Sequence, residues 1–451
     1  MTRSNKGLFA LALSMLAGVA SAQPFACAGP TSLGQLTIPG QGELSVDLLV
    51  EQVLARNPSL AQMIAAWQAA SARYPQVTSL DDPMFGATVA PASFGSNEVE
   101  AGYRLEVSQK LPFCGKRELR GQNALAEASA AGRDVDDMRL QLIESARIAF
   151  YDYYLVYRAI GVNDESLRLL RELRSNAETR YETGLVPQQD VLQADVEIGR
   201  QRERGLTLER MRRVATARIN TLLHLPPDTQ LPPPPERLQI IESLPPAEAL
   251  RARALEQRPD LRALADRITA EQASLGLAQK EFGPDLEVMA AYDTIMGNGP
   301  TRDLAPQIGV RVNLPIRRTR RYGAISEASA RIAQRQAELA RLTDQASFQV
   351  QEAYEQVVES QQAVRLYEKT IVPAARENVK AAQSAYVTGK TPFVSLVEAE
   401  RNVVMLRERA YEVLAEYFRR RATLDRVTGG TISVGQDSGS AHLFQPVPGH
   451  R

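Results

Sequence analysis

"RYETGLVPQQDVLQADVE" at 180–197 returns as "AYVTGKTPFVSLVEAERN" at 385–402, and each copy of this Tyr-x-Thr-Gly-x-x-Pro corner lies between two long runs of helix-forming residues. Glycine suits the left-handed residue that ends a helix. Proline suits the first turn of the next helix, where no amide donor is needed. Gly184 with Pro187, and Gly389 with Pro392, therefore predict two tight helical hairpin tips in one chain. The runs leading into them, 116–181 and 318–386, are rich in Ala, Glu, Arg, Gln and Leu, all good helix formers. About 65 such residues make a rod on the order of 100 Å, with breaks expected near Gly161-Val162-Asn163 and at Pro373. No single globular core hides such a rod, so it has to pack against other rods.

The repeat extends beyond the corners. "NPSL" at 57–60 matches "RPDL" at 258–261, and "QKLPFCGKR" at 109–117 matches "VNLPIRRTR" at 312–320. Tyr181 matches Tyr386 and Ala194 matches Ala399. Ordered matches at a nearly constant offset read as an internal duplication. Each copy predicts a first helix (44–75 and 247–281), two short alternating segments, the long run, and a return helix (188–224 and 393–427). The copies thus span 44–224 and 247–427. Between them, "LPPDTQLPPPPERLQIIESLPP" at 225–246 is a linker whose prolines forbid continuous helix.

The N-terminus, "MTRSNKGLFALALSMLAGVASAQPF", has basic residues, then an apolar run from Leu8 to Val19, then Ala20-Ser21-Ala22. This is the layout of a secretory signal peptide over 1–22, and the apolar run is too short to span a bilayer comfortably as a retained helix. An extended segment, 23–43, precedes the first copy. The 53 basic and 53 acidic residues balance and give no electrostatic reason to expect nucleic acid. Only Cys27 and Cys114 are present, too few for a disulfide framework. Either free thiols or a single bridge between them fits. Cys27 is also a candidate lipidation site, although "PFAC" lacks a leucine three positions before the cysteine. His224, His442 and His450 show no metal-ligand spacing. His224 suits a structural place near a helix end, and the other two lie in the Gly-rich tail, 428–451. No catalytic motif, cofactor loop or metal site is expected.

In "EAGYRLEVSQKL", Tyr103, Leu105 and Val107 share one face and Arg104, Glu106 and Ser108 the other. In "QIGVRVNL", Ile308, Val310 and Val312 oppose Gln307, Gly309 and Arg311. With weaker partners, the segments predict strands near 84–95, 99–111, 285–296 and 305–315, joined by polar turns at 95–98 and 297–303. Strands of about ten residues can cross a bilayer with apolar residues toward lipid and polar ones toward a wet lumen. A two-sided sheet in a soluble domain alternates in the same way, so both readings stay open. Four strands cannot close a membrane barrel, and lipid does not tolerate open sheet edges. Membrane strands would therefore require several chains in one barrel, and three chains give about twelve strands.

The duplicated corners, paired alternating segments and proline-rich midpoint resemble the TolC-like outer-membrane efflux ducts, from Asn57-Pro58 to about Val427. "SQKLPFCGKRELRG" at 108–121 is similar to the strand-to-helix junction of the CzcC-like, heavy-metal branch. The resemblance implies a mainly helical fold with membrane strands. It implies a homotrimer with a shared twelve-stranded β-barrel in the outer membrane, continued by a helical tunnel through the periplasm. It implies partners: a periplasmic adaptor and an inner-membrane RND-type pump. The adaptor contact carries over to Tyr181, Thr183, Gly184, Leu185 and Val186, and to Tyr386, Thr388, Gly389, Lys390 and Thr391. The family's aperture carboxylates fall on Ser395 and Glu398, so one acid is missing. Asp190, the first-copy equivalent of Ser395, is a candidate ring of its own. A solvated helix face explains Asp190 and Glu398 equally well. Carboxylate rings favour cations, which suits metal export; drug efflux or protein secretion would use the same architecture. A periplasmic adaptor would lack the strands, and a coiled-coil structural protein would show sustained heptads.

Overall fold

A computed structural model describes residues 42–91, 102–240, 243–293 and 306–432. The expected signal peptide, Cys27, both strand-hairpin turns, His442 and His450 lie outside the described residues. All elements below belong to the unit Glu43–Arg451.

The first half contains α1 (Val46–Arg56), α2 (Pro58–Ser71), α3 (Arg73–Thr78), β1 (Met84–Ala90), β2 (Gly102–Leu111), α4 (Lys116–Glu182) and α5 (Gln188–Leu222). The second contains α6 (Ala247–Gln257), α7 (Pro259–Lys280), β3 (Leu286–Asp293), β4 (Gln307–Val312), α8 (Arg318–Leu366), a π turn (Tyr367–Ile371), α9 (Val372–Val387) and α10 (Phe393–Val427).

Three expectations need correction. The helices expected to run unbroken over 44–75 and 247–281 are both interrupted, at Asn57-Pro58 and Arg258-Pro259. A proline pushes the residue before it out of helical backbone, and Asn57 (ψ 123°) and Arg258 (ψ 124°) are extended. The Asn57 side chain then caps α2 by accepting from the Ser59 amide at 2.9 Å. Second, no break occurs at Gly161-Val162-Asn163. α4 is continuous over 67 residues, about 100 Å; burial of Val162, 2 % exposed, offsets a helical glycine's cost of about 1 kcal/mol. Third, Pro187 and Pro392 precede their helices as extended N-cap residues instead of sitting in the first turn. Pro373 does interrupt its run. It has no amide for the Lys369 carbonyl, and its ring crowds that oxygen. The chain answers with the π turn immediately before it.

α4 packs against α5, α7 and α10, and α10 packs also against α8. Ala124, Ala130, Ala146 and Ala149 are buried along α4 and let backbones approach closely. Antiparallel α4 and α10 are tied by ion pairs Arg147–Asp425, Asp152–Arg419 and Glu165–Arg407, each 2.6 Å. Leu49, Val53, Phe150, Ile219, Leu250 and Tyr417 belong to the main core. The proline-rich linker lies on this core. Its carbonyls at Pro232, Pro233 and Pro235 accept from the Tyr153 hydroxyl (3.1 Å), the Leu44 amide (2.8 Å) and Arg158 (2.7 Å). His224 ends α5 in the left-handed region, φ 56°, the structural place expected of it.

The four strands form one antiparallel sheet in the order β1-β2-β3-β4. Val107 pairs with Phe85 and with Ala290, and Val288 pairs with Val310. Among the described residues, β1 and β4 each have one unpaired edge.

Candidate functional site

The sheet has two unlike faces. Along β2 and β4, Leu105, Val107, Ile308 and Val310 are 42, 48, 84 and 63 % exposed. Tyr103 and Val312 share that outward face, and the Tyr103 and Tyr292 rings stack at 6.1 Å. The register gathers these side chains into one apolar row across all four strands. The opposite face carries charge. Arg104 meets Glu106 at 2.9 Å, and Arg311 meets Glu287 at 3.0 Å and Glu106 at 4.0 Å. An apolar face opposite an ion-paired face is the alternation that membrane barrel walls use.

Where strand gives way to helix, Lys116 is 1 % exposed and reaches Asp285 at 2.9 Å and Glu281 at 3.5 Å. The Phe113 amide donates to the same Asp285 oxygen at 2.8 Å, and the Asp285 amide donates to Asn313 at 2.7 Å. One buried cation thus joins the start of α4 to the start of β3. Cys114, beside it, is an exposed free thiol.

At the far end of the rods, Gly184 and Gly389 adopt φ 72° and 73°. Leu185 donates to the Arg180 carbonyl and Gly184 to Tyr181, at 2.8 and 2.9 Å. Lys390 donates to Ala385 and Gly389 to Tyr386, at 2.8 and 3.0 Å. Both corners are therefore Schellman caps. The repeated threonines serve the same turns, Thr183 and Thr388 donating to carbonyls of the preceding turn at 3.0–3.1 Å.

The two tips are not equivalent in their surfaces. Tyr181, Thr183, Gly184 and Leu185 are exposed, as are Thr388, Gly389 and Lys390, whereas Val186 and Thr391 are half-buried. Tyr386 is only 6 % exposed; expected as a contact residue, it points inward and presents no side chain to a partner. Its ring packs on Phe393 at 5.3 Å, beside Leu396 and Val397. Arg180 lies over the ring at 4.8 Å and donates to the Tyr386 carbonyl at 3.3 Å.

The three expected aperture residues differ. Asp190 accepts from the Tyr386 hydroxyl at 3.4 Å, a link between the two tips. Burial pushes its carboxyl above the usual range, against the opposing pull of the Tyr386 hydrogen bond and Arg180. Ser395 is half-buried, its amide bonded to the Pro392 carbonyl. Glu398 is exposed, one turn before Arg401.

A buried carboxylate with an exposed arginine partner escaped sequence reasoning. Glu197 on α5 is 4 % exposed and is gripped by Arg401 on α10 through both oxygens, one contact at 2.7 Å. The Arg401 hydrogen bond holds its carboxyl below the usual range. The signal was present: opposite charges about a dozen residues past each corner. Among the described residues, no cluster of three metal-binding side chains exists, and no helix is long and apolar enough to cross a membrane.

Comparison with known proteins bears on this geometry. A protein of Haemophilus influenzae with no characterised function is 23 % identical over 56 % of this chain and 57 % of its own length. The cobalt-zinc-cadmium resistance protein CzcC of Cupriavidus metallidurans is 26 % identical, over 70 % of this chain and 74 % of that protein. Among solved structures, the outer-membrane channel OprN superposes with a TM-score of 0.71 at 21 % identity, over 85 % of this chain and 90 % of that one. The transmembrane channel CusC gives 0.72 at 16 %, over 86 % and 92 %. These share the fold. The sequence model for outer membrane efflux proteins matches twice, over residues 49–223 and 250–430. With both halves accounted for, the chain belongs to the outer membrane efflux protein family.

Proposed function

We propose that this chain is the exit duct of a tripartite efflux system in a Gram-negative outer membrane. The observation that supports it most directly is the four-stranded sheet, apolar outside, charged inside and open at both edges. Three copies would supply about twelve strands, enough to enclose a wet lumen, while the rods continue as a tunnel into the periplasm. The exposed tip residues Tyr181, Thr183, Leu185, Thr388 and Lys390 would meet a periplasmic adaptor that couples the duct to an inner-membrane pump. The Asp190–Tyr386 contact would hold the two tips together in the closed state, and the carboxylates of Asp190 and Glu398 would favour cations at the aperture.

Heavy-metal cations are the substrate class we infer. That choice rests on the junction "LPFCGKR" and on the likeness to a protein named for cobalt, zinc and cadmium resistance. Metal is cargo in this reading, so no resident metal site is required. The test is deletion of the gene. Lost tolerance to zinc, cobalt or cadmium, restored by the gene on a plasmid, is expected. Unchanged metal tolerance with lost tolerance to organic toxicants would overturn the substrate, and recovery of the chain as a detergent-free soluble monomer would overturn the duct.

A further inference from the structure

The internal repeat supplies a template for a junction that a single chain cannot show. Inside the chain, the second strand of one half pairs with the first strand of the other, Leu111 facing Leu286. Five residues beyond that pair on each side, the same register sets Lys116 opposite Glu281, and the two lie 3.5 Å apart. The strands have ended by then, Lys116 opening α4 and Glu281 following α7, so what closes the sheet at its helical end is a charge cluster in which Lys116 also meets Asp285 at 2.9 Å.

The free edges, β4 and β1, are the corresponding strands of the opposite halves. Leu111-Pro112 matches Leu314-Pro315, and Pro284-Asp285-Leu286 matches Pro83-Met84-Phe85. Carried across, the template sets Leu314 opposite Phe85 and Val310 opposite Val89. All four side chains are strongly exposed, at 72, 70, 63 and 54 %, and all belong to the outward apolar face. Counted on past the strand ends, this places Arg317 near Asp82 and Arg318 near Asp81. The positions equivalent to Lys116 and Glu281 are Thr319 and Leu80, so the charges here are the seam's own and not copies of the internal pair. The two arginines and two aspartates are exposed, and neither pair has an ion-pair partner among the described residues. From Asn313 to Ser326 the chain carries four arginines and no acid. Two adjacent exposed acids at one edge thus face two adjacent exposed arginines, of opposite charge, at the other.

We propose that β4 of one copy pairs antiparallel with β1 of the next in this register, clamped at the helical end by Arg317–Asp82 and Arg318–Asp81. The inference rests on the shared-sheet duct reading and specifies its seam. A one-residue slip would turn the apolar row of one copy toward the lumen of the next, so a charge clamp at one end selects the register. The pairs sit where the seam leaves the hydrocarbon, so they need no deep desolvation.

Cysteine crosslinking in membranes tests the register. In a chain with Cys27→Ser and Cys114→Ser, Val89→Cys with Val310→Cys is expected to give disulfide-linked multimers on mild oxidation, reversed by reductant. Val89→Cys with Val312→Cys, a diagonal about 7–8 Å apart, is expected to crosslink several-fold less, and each single-cysteine chain not at all across the seam. Equal or reversed yields, or no crosslink in membrane-held protein, would overturn the seam while leaving the duct reading intact. Failure of the chain to enter the membrane would instead overturn that reading.

Charge exchange tests the clamp. Arg317→Asp and Asp82→Arg should each reduce detergent-resistant multimers at least two-fold, and the two changes in one chain should restore them. Undiminished multimers in the single variants would overturn the clamp. So would Arg317→Asp weakening binding to anionic phospholipid vesicles while multimers stay intact, since the arginines would then serve lipid headgroups.

Discussion

Tyr386 does three things that a surface tyrosine could not: it buries its ring on Phe393, receives Arg180 on its face, and donates to Asp190. Tyr386→Phe keeps the first two and removes only the hydroxyl. A hydrogen bond of this kind contributes about 0.5–1.5 kcal/mol, so under the proposed latch role the open fraction of the duct should rise by about 2- to 10-fold. Sensitivity of cells to large polar antibiotics that the outer membrane excludes would report it; unchanged sensitivity with normal protein levels would rule out the latch. The glycines at the corners make a separate case. A Cβ on Gly184 or Gly389 would meet nothing within 4 Å, so Gly→Ala there reads backbone strain alone, about 1–2 kcal/mol. The expected result is loss of hydrogen-exchange protection confined to the mutated tip. Acid should act on neighbouring contacts with opposite signs. Asp190, its pKa raised by burial, binds its proton more readily in the folded tip, so falling pH favours the folded arrangement there. Glu197, its pKa lowered by Arg401, contributes stability above the ordinary carboxylate range that is lost as pH falls through its lowered value. Hydrogen exchange, corrected for intrinsic rates, should show protection kept around Asp190 and Tyr386 but reduced around Glu197 and Arg401 as pH drops toward about 3.5. Parallel loss at both would contradict the assignment.

Elements were legible wherever local chemistry decides. The glycine-proline corners, the alternation in "YRLEVS" and the prolines of the linker each predict their structure because backbone geometry or a period of two leaves little choice. Tertiary contacts were not legible. Gly161 reads as a breaker, yet packing holds α4 straight through it. Pro58 and Pro259 lie inside stretches whose composition reads as single helices, although the residue before a proline resists helical backbone. Tyr181 and Tyr386 are identical in the repeat, but Tyr386 has Phe393 to pack on, where the first copy has Gln188, and it gains Arg180 and Asp190 from the other tip. Lys116 is a like case: in sequence it is one base in "CGKRELR", in the fold it is the pin between strand and helix. Lys116→Met is expected to destabilise the sheet junction by about 2 kcal/mol, because Asp285 keeps its charge and loses its cation. Adding Asp285→Asn should recover part of that loss. Denaturant titration of the four proteins of this cycle checks it, and simple additivity would mean the contact contributes nothing.

For the whole molecule, the proposed trimeric duct would turn single side chains into rings. Asp190 and Glu398 would each occur three times around one axis, and a ring of like carboxylates in a narrow passage raises the local cation concentration. The rings are not equal. Glu398 lies one turn from Arg401, whose charge opposes it, whereas Asp190 sees Arg180 beneath a ring and a hydroxyl. Asp190→Asn should therefore lower cation-over-anion permeability more than Glu398→Gln, and the two together should reduce it several-fold. Reversal potentials across planar bilayers under a salt gradient measure this directly, best at low ionic strength, where screening is least. Acidification supplies an internal check. Because burial holds the Asp190 proton to higher pH than an ordinary aspartate, wild-type selectivity should fall on acidification, and Asp190→Asn should remove that part of the fall. A wild-type ratio that stays flat as pH drops, or one that the double substitution leaves untouched, would place the selective constriction elsewhere along the duct.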